Sequence, residues 1–395
     1  MSLIATVGQS RHAVSQEAGA QAAQQALEGL GMAQATFGWV IASYVHSIQD
    51  VLAGISRIMA DTPVLGFSTS AELTSIGQER RSVVVGLLSG DDLHARAGWW
   101  PDFVKESRGA VGDLFRSLRP KADEHENLFV IADGLSGDTN HLCQVLTAGR
   151  YGLAGCLAGG DLTSGRTYQL GGRRGGDSGL AAAVLGGNVT IGVGTAHGWL
   201  PVGATVQLSE VQDLWVRSLD GRRPSETYAQ LFGYPARDWS FPPLNELVRL
   251  YPFGLSDGDE LLIRSPLRVE ADGSLRMNTT LPEGQTAALM VGSRAACFKA
   301  ARQAAREALA ALGPARPSLA LVLADVAWQT MMETQPGAEV RALRQELGDE
   351  VPIIGGYTFG QFARSPKDGR VRLLNQHIEV ILFGEKTGDP EGYAD

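Results

Sequence analysis

Long runs of positive charge are missing from this chain. Lys and Arg number 34 against 43 Asp and Glu, the formal charge is −9, and no unbroken basic run is longer than a pair such as that in "GGRRGG" (171–176). A nucleic-acid partner needs clustered cations to displace counterions, so that class is excluded. Also missing is any uninterrupted apolar run long enough to span a bilayer. The longest, "GLAAAVLGGNVTIGVG" (179–194), is broken by Gly and Asn and reads as strands, so no membrane span is expected. The start, "MSLIATVGQSRH", has no basic segment followed by a long apolar one, which argues against a signal peptide. Cysteine is scarce: Cys143, Cys156 and Cys297 are odd in number and form no C-x-x-C pair. A disulfide framework is therefore excluded, and reduced thiols in the cytoplasm are the expectation. The seven His are scattered. His141 and Cys143 stand two apart on a predicted helix, point to different faces and cannot chelate together.

What is present is apolar residue at 44% and 49 Gly in 395 residues, the latter well above the average of about 7%. That length exceeds one ordinary core, so two domains are expected, 1–219 and 220–395, divided at the turn "LDGRRP". Two series of elements run in the same order. One passes through "SVVVGLL" (82–88), "NLFVIAD" (127–133) and "GLAGCLAGGD" (152–161); the other through "AALMVGS" (287–293), "LALVLAD" (319–325) and "PIIGGYTFGQ" (352–361). A third, partial echo lies upstream in "WVIASYV" (39–45) and "VLGFSTSAEL" (64–73). The pattern predicts an α/β (mixed α+β) protein, two related lobes of mixed sheets flanked by helices, arising from an internal duplication. Convergence of all buried strands on Val, Leu and Ala is the competing explanation, but it does not account for the recurrent place of the Gly-rich turns.

Several motifs tempt and fail. "GGDSGL" (175–180) has a serine-protease look without an upstream His segment. "GFSTS" (66–70) ends in Ser where a nucleophile elbow has Gly, leaving Ser68, or Ser136, only a remote serine-hydrolase alternative. "GVGTAHG" (192–198) starts no helix on which a pyrophosphate could sit. What survives is a set of polar groups at strand ends in Gly-rich surroundings: Asp133, Ser136, Asp138, Asp161 and Thr163, then Asn278, Tyr357, Thr358 and Gln361. Such groups can orient a small polar molecule in a shared cleft. The plainer alternative is that the Asp and Ser only cap turns and helices. A lone His, His197 or His141, could serve as an axial haem ligand, which needs one imidazole and an apolar pocket.

The ordered set "GFSTSAEL", "ADGLSGD" (132–138), "LAGCLAGGDL" (153–162), "HGWLPVG" (197–203), "YPFGL" (251–255), "VEADGSLRM" (269–277) and "GGYTFGQFA" (355–363) resembles the FIST sensory proteins of bacteria. The resemblance implies a FIST N-terminal and a FIST C-terminal domain and a signal-input role, with a small ligand such as an amino acid. It implies a receptor and not an enzyme, with no obligatory cofactor, although one branch is associated with haem-dependent nitric-oxide sensing. Members often carry or sit beside a histidine kinase or a cyclic-dinucleotide synthase. No output domain follows the last predicted strand, so such a partner is expected in trans. Departures from the family pattern fall at Asp325, in "ADVAWQT", at Gln361, in "FGQ", and at His377, in "LNQH". Ligand identity and oligomeric state leave no readable trace.

Overall fold

The computed structural model describes residues 3–386 apart from 60, 122–125, 163 and 259. The first unit runs β1 (Ile4–Ser10), α1 (Ser15–Leu30), β2 (Phe37–Ser43), α2 (Ile48–Ile58), β3 (Val64–Thr69), a hairpin β4 (Glu72–Thr74) and β5 (Gly77–Glu79), and β6 (Val83–Ser89). The second repeats the order as β7 (His94–Trp100), α3 (Ser107–Ser117), β8 (Asn127–Ala132), α4 (Thr139–Thr147), β9 (Gly152–Leu157), hairpin β10 (Gln169–Gly171) and β11 (Arg174–Gly176), and β12 (Leu180–Gly186). The third opens with β13 (Val189–His197) and is then interrupted. The insertion comprises β14 (Trp199–Gln212), β15 (Trp215–Leu219), α5 (Pro224–Phe232), α6 (Leu244–Leu247), β16 (Phe253–Asp257), β17 (Glu260–Arg264), β18 (Pro266–Val269), β19 (Leu275–Met277) and β20 (Thr286–Gly292). The unit resumes with α7 (Arg294–Leu312), β21 (Pro317–Asp325), α8 (Val326–Met331), α9 (Ala338–Leu347), β22 (Ile353–Thr358), hairpin β23 (Gln361–Arg364) and β24 (Val371–Leu374), and β25 (His377–Glu385).

Each unit builds a sheet in the same strand order, completed by a neighbour's hairpin. The three sheets run β1-β6-β2-β3-β10-β11, β7-β12-β8-β9-β23-β24 and β13-β25-β21-β22-β4-β5, while the insertion forms a fourth. The exchange is cyclic: the first unit lends its hairpin to the third, the third to the second, and the second to the first. The mixed α/β class with helix-flanked sheets is as expected, and the internal repetition has three copies, the upstream echo being the first. Two assignments in the paired series need correction. Residues 82–88 fall largely in β6, which closes the first unit, and 287–293 largely in β20 of the insertion. The sheets do not part at residue 220, because three of the four draw strands from both sides of it.

Period-two alternation explains the layers. Phe37, Trp39 and Ile41 of β2, Phe129 and Ile131 of β8, and Leu319, Leu321 and Leu323 of β21 all face one central core. The alternate residues face outer cores under the helices: Val40 and Ala42, Val130 and Ala132, Val322 and Ala324. Burial on both faces is why these strands read as nearly continuous apolar runs. One aromatic from each of the three unit sheets meets the others at the centre, with Trp39–Phe129, Phe129–Phe383 and Trp39–Phe383 ring centroids 5.2, 5.6 and 6.0 Å apart. Each such pair contributes about 1 kcal/mol beyond its buried area. At the strand ends the crossing chains bond to one another. Tyr357 N donates to Thr69 Oγ1 (2.8 Å), Ser68 Oγ to the Gly159 carbonyl (2.6 Å) and Phe359 N to the Leu157 carbonyl (3.1 Å). Among the described residues no helix is long and apolar enough to cross a membrane.

Candidate functional site

The parallel strands β2–β3, β8–β9 and β21–β22 all end at this crossing, which is where α/β sheets present groups to ligands. The insertion covers it, leaving a cleft of ≈ 380 Å³. The first unit supplies Tyr44, Ser70 and Arg80, and the second Gly160 and Asp161. The third supplies Gln329, Thr330 and Glu333, and the insertion Glu246 and Arg249. Two cations therefore face three carboxylates across one small space.

Arg249 is the best-held of these groups. It is 5% exposed, its Nε donates to the Leu267 carbonyl (2.8 Å), and its carbonyl accepts from Gln376 Nε2 (2.6 Å). One terminal nitrogen lies 3.1 Å from Glu246 Oε2 and makes no aligned hydrogen bond. Burial lowers its pKa, opposed by Glu246 and by Asp325 beneath it. Asp325 is itself buried and pushed up to about 6 by desolvation; bonds from Ala327 N (3.0 Å) and Gln376 N (2.9 Å) pull the other way. It caps α8. Ser70 Oγ donates to Gln329 Oε1 (2.6 Å), and Asp161 Oδ2 accepts from Ser164 N (3.0 Å).

The expected site residues are distributed over several places. Asp161 lines this cleft. Asp133 and Ser136 line a separate one of ≈ 280 Å³ with Thr167, Arg268 and Arg276. The Asp133 carboxylate is engaged in shaping its own loop: Oδ1 accepts from Leu135 N and Ser136 N (both 3.0 Å), and Oδ2 from Thr167 Oγ1 (2.8 Å). Desolvation raises its pKa. Asp138 caps α4 through His141 N (2.9 Å), so "ADGLSGD" is a turn followed by a helix cap. Ser136 Oγ accepts from Arg276 (3.2 Å).

Asn278, Tyr357, Thr358 and Gln361 are sealed inside the fold. Asn278 donates to the Phe359 carbonyl. The Tyr357 hydroxyl points away from the crossing, toward Gln78 Oε1 (3.0 Å) and Glu339 of α9. The Gln361 amide, with its oxygen toward Thr358 Oγ1 (2.8 Å) and Asp325 N (3.2 Å), donates to the Leu374 carbonyl (3.2 Å). Neither cleft reaches Tyr357, so Asp133 and Tyr357 share no hollow. Thr163 lies outside the described residues. Sequence reasoning missed Arg249 and Glu246, whose only signal was a lone Arg in the apolar "LVRLY" (247–251).

His197 stands opposite His377 across β13–β25, with ring centroids 4.8 Å apart in a further cleft of ≈ 500 Å³. His197 Nδ1 accepts from Trp199 N (3.3 Å), and His377 Nδ1, assigned as donor, bonds the Asn375 carbonyl (2.7 Å). Burial lowers both, His377 to about 3 with help from its neighbour's charge, so both rings are neutral at pH 7. His141 lies on the first turn of α4. Among the described residues no three His, Cys, Asp or Glu side chains gather as a metal site. Ser68 is fully buried and spends its hydroxyl on Gly159 and on Tyr168 N (2.8 Å), which leaves it unsuited to acyl transfer.

No curated protein matches the sequence. Among solved structures, the cyanuric acid hydrolase of A. caulinodans aligns with 47% of this chain and 71% of its own, at 12% identity and a TM-score of 0.27, a likeness too slight to bear on function. The FIST N domain matches residues 36–222 and the FIST C domain residues 224–364. Together the two matches take in most of the chain, including the whole crossing and the insertion above it, and the chain belongs to the FIST family.

Proposed function

We propose that this protein is a sensory receptor whose ≈ 380 Å³ cleft takes a small zwitterion of the amino-acid class. FIST domains are in general small-ligand sensory domains. The observation that carries the finer reading is the charge arrangement: Arg249 and Arg80 suit a carboxylate, and Asp161, Glu246 and Glu333 suit an ammonium group. Asp133, Tyr357 and their sealed companions support the walls and do not touch the ligand. The cleft joins all three units to the insertion, so a ligand that fits it better closed than open shifts the insertion's position. A histidine kinase or a cyclic-dinucleotide enzyme in trans reads that shift.

Thermal melts across an amino-acid panel test this. A ligand at one hundred times its Kd stabilises by about 2.7 kcal/mol, a readable rise in melting temperature. Asp161→Asn should weaken that ligand by about tenfold or more, since one charge-assisted contact contributes roughly 1.5–3 kcal/mol. Melting curves unmoved by any panel member, in the wild-type chain, would refute the proposal.

A second reading rests on the paired histidines. The Nδ1 bond to Asn375 leaves His377 Nε2 as the lone-pair nitrogen, the arrangement of an oriented imidazole ligand. The residues there fit one axial haem ligand, from His377 or His197. An absorption titration with haemin decides it: a saturable Soret shift lost in His377→Ala supports the reading, and an unsaturable one removes it.

A further inference from the structure

The third unit differs from the first on its outer face. Gly8 and Gly194 hold matching places: a Cβ on either would lie 2.1 Å from a helix carbonyl, of Ala22 in α1 and of Ala304 in α7. In the first unit the two outer helices close on each other through glycine. A Cβ at Gly54 of α2 would lie 1.9 Å from the Gln16 carbonyl, and one at Gly19 of α1 2.5 Å from that of Val51. Counting along α7 from Ala304, the residue matching Gly19 is Ala301. Counting back from the matched pair Gly66 and Gly355, the residue matching Gly54 is Leu343. With side chains in both places α7 and α9 contact each other less closely than α1 and α2 do, and a groove of ≈ 580 Å³ runs between them.

That groove is basic in an acidic protein. Lys299, Arg302 and Arg306 of α7 and Arg341 of α9 rim it, over a floor that includes Phe298 and Ala342. One carboxylate, Glu346, bridges Arg302 (2.6 Å) and Arg306 (3.3 Å). The positions in α1 that match Lys299, Arg302 and Arg306 hold Glu17, Ala20 and Gln24. The whole chain carries −9, so this concentration of cations is local.

We infer that the groove between α7 and α9 docks an acidic helical segment of a separate protein. The α7 cations recur at three- and four-residue steps, roughly 4.5–6 Å apart along the axis. A partner helix with Glu or Asp at the same steps meets each in turn. Two helices with small residues between them also seat a third by ridges into grooves, with Phe298 as the apolar contact. This surface lies on the helix layer and shares no lining residue with the ligand cleft, although Gln335 of the groove and Glu333 of the cleft are two residues apart, and it stands whether or not an amino acid binds there.

The test uses the full chain and a fluorescein-labelled, helix-forming peptide with Glu along one face and Leu and Ala elsewhere. Fluorescence anisotropy should show saturable binding that weakens as salt rises. The double variant Lys299→Glu, Arg341→Gln should weaken it at least about tenfold, and it should keep a cooperative melt, because Arg341→Gln removes a charge beside buried Glu339 without reversing it. The inference is overturned if the peptide with Gln in place of Glu binds equally well, or if the variant binds as the wild type does. It is also overturned if tripolyphosphate binds as tightly as the peptide, which indicates a small-anion pocket. A dimer in sedimentation that the double variant abolishes overturns it in favour of a second copy.

Discussion

Gly355→Ala should collapse the soluble yield of this protein, and any chain recovered should melt several degrees below the wild type. Gly355 pairs with Val322 in the parallel strands β21–β22, and a Cβ there would lie 1.9 Å from the Val322 carbonyl oxygen. No rotamer relieves that contact, because both partners are backbone. The strands must separate, and the sheet between the central and outer cores has no slack, being packed on both faces. A cost of about 3 kcal/mol is expected, the upper range for overpacking. The same geometry recurs at Gly66 opposite Val40 (1.9 Å) and Gly155 opposite Val130 (2.1 Å), so Gly66→Ala and Gly155→Ala should fail in the same way. Gly112→Ala in α3, whose added carbon meets only the tip of Arg116, is the control and should leave stability unchanged or slightly raised. Wild-type melting in Gly355→Ala would mean that the strands do not approach as described.

Those three glycines also show what the sequence could and could not reveal. Each sits within an apolar strand that runs into a turn, and the recurrence of glycine inside that strand makes the repeat legible in "VLGFSTS", "GLAGCLAGG" and "PIIGGYTFGQ". The endings "VIAS", "VIAD" and "VLAD" place Ser43, Asp133 and Asp325 at one equivalent point, consistent with a structural role for the two Asp as turn and cap residues. The exchange of hairpins was not legible. The pairing of Leu73 with Gly355 spans most of the chain, and nothing in "ELTSIGQE" distinguishes a hairpin that folds back locally from one that joins another unit. The place of Tyr357 was not legible for a different reason. It shares strand parity with Ile353 and so belongs to the helix-facing layer, not to the strand tip. In a strand, a side chain one residue away faces the other way, and a turn-centred reading ignores that period. Arg249 was out of reach because its partners Leu267 and Gln376 are brought to it only by the insertion folding back.

The equivalence of the units makes one buried group conspicuous. Glu379 faces the central core, opposite Leu323 and Thr195, is fully buried, and neither carboxyl oxygen has a hydrogen-bond partner among the described residues. The matching strands β6 and β12 carry Val84 and Ala181 there. Desolvation raises the Glu379 pKa well above the usual carboxylate range, so the folded chain keeps the acid protonated where the unfolded chain ionises. Stability is then fully present below the unfolded pKa and is lost as pH rises toward the folded one, by at most about 1.4 kcal/mol per pH unit. Glu379→Leu, similar in volume and without polar atoms, should therefore stabilise the protein by about 1–3 kcal/mol even in acid, by removing an unpartnered polar group. The gain should grow between pH 5 and pH 8. Melting curves of the two chains over that range measure it: two parallel pH profiles, or a variant less stable than the wild type at pH 8, would show that the Glu379 carboxyl has a favourable partner in the core and that the third unit depends on it.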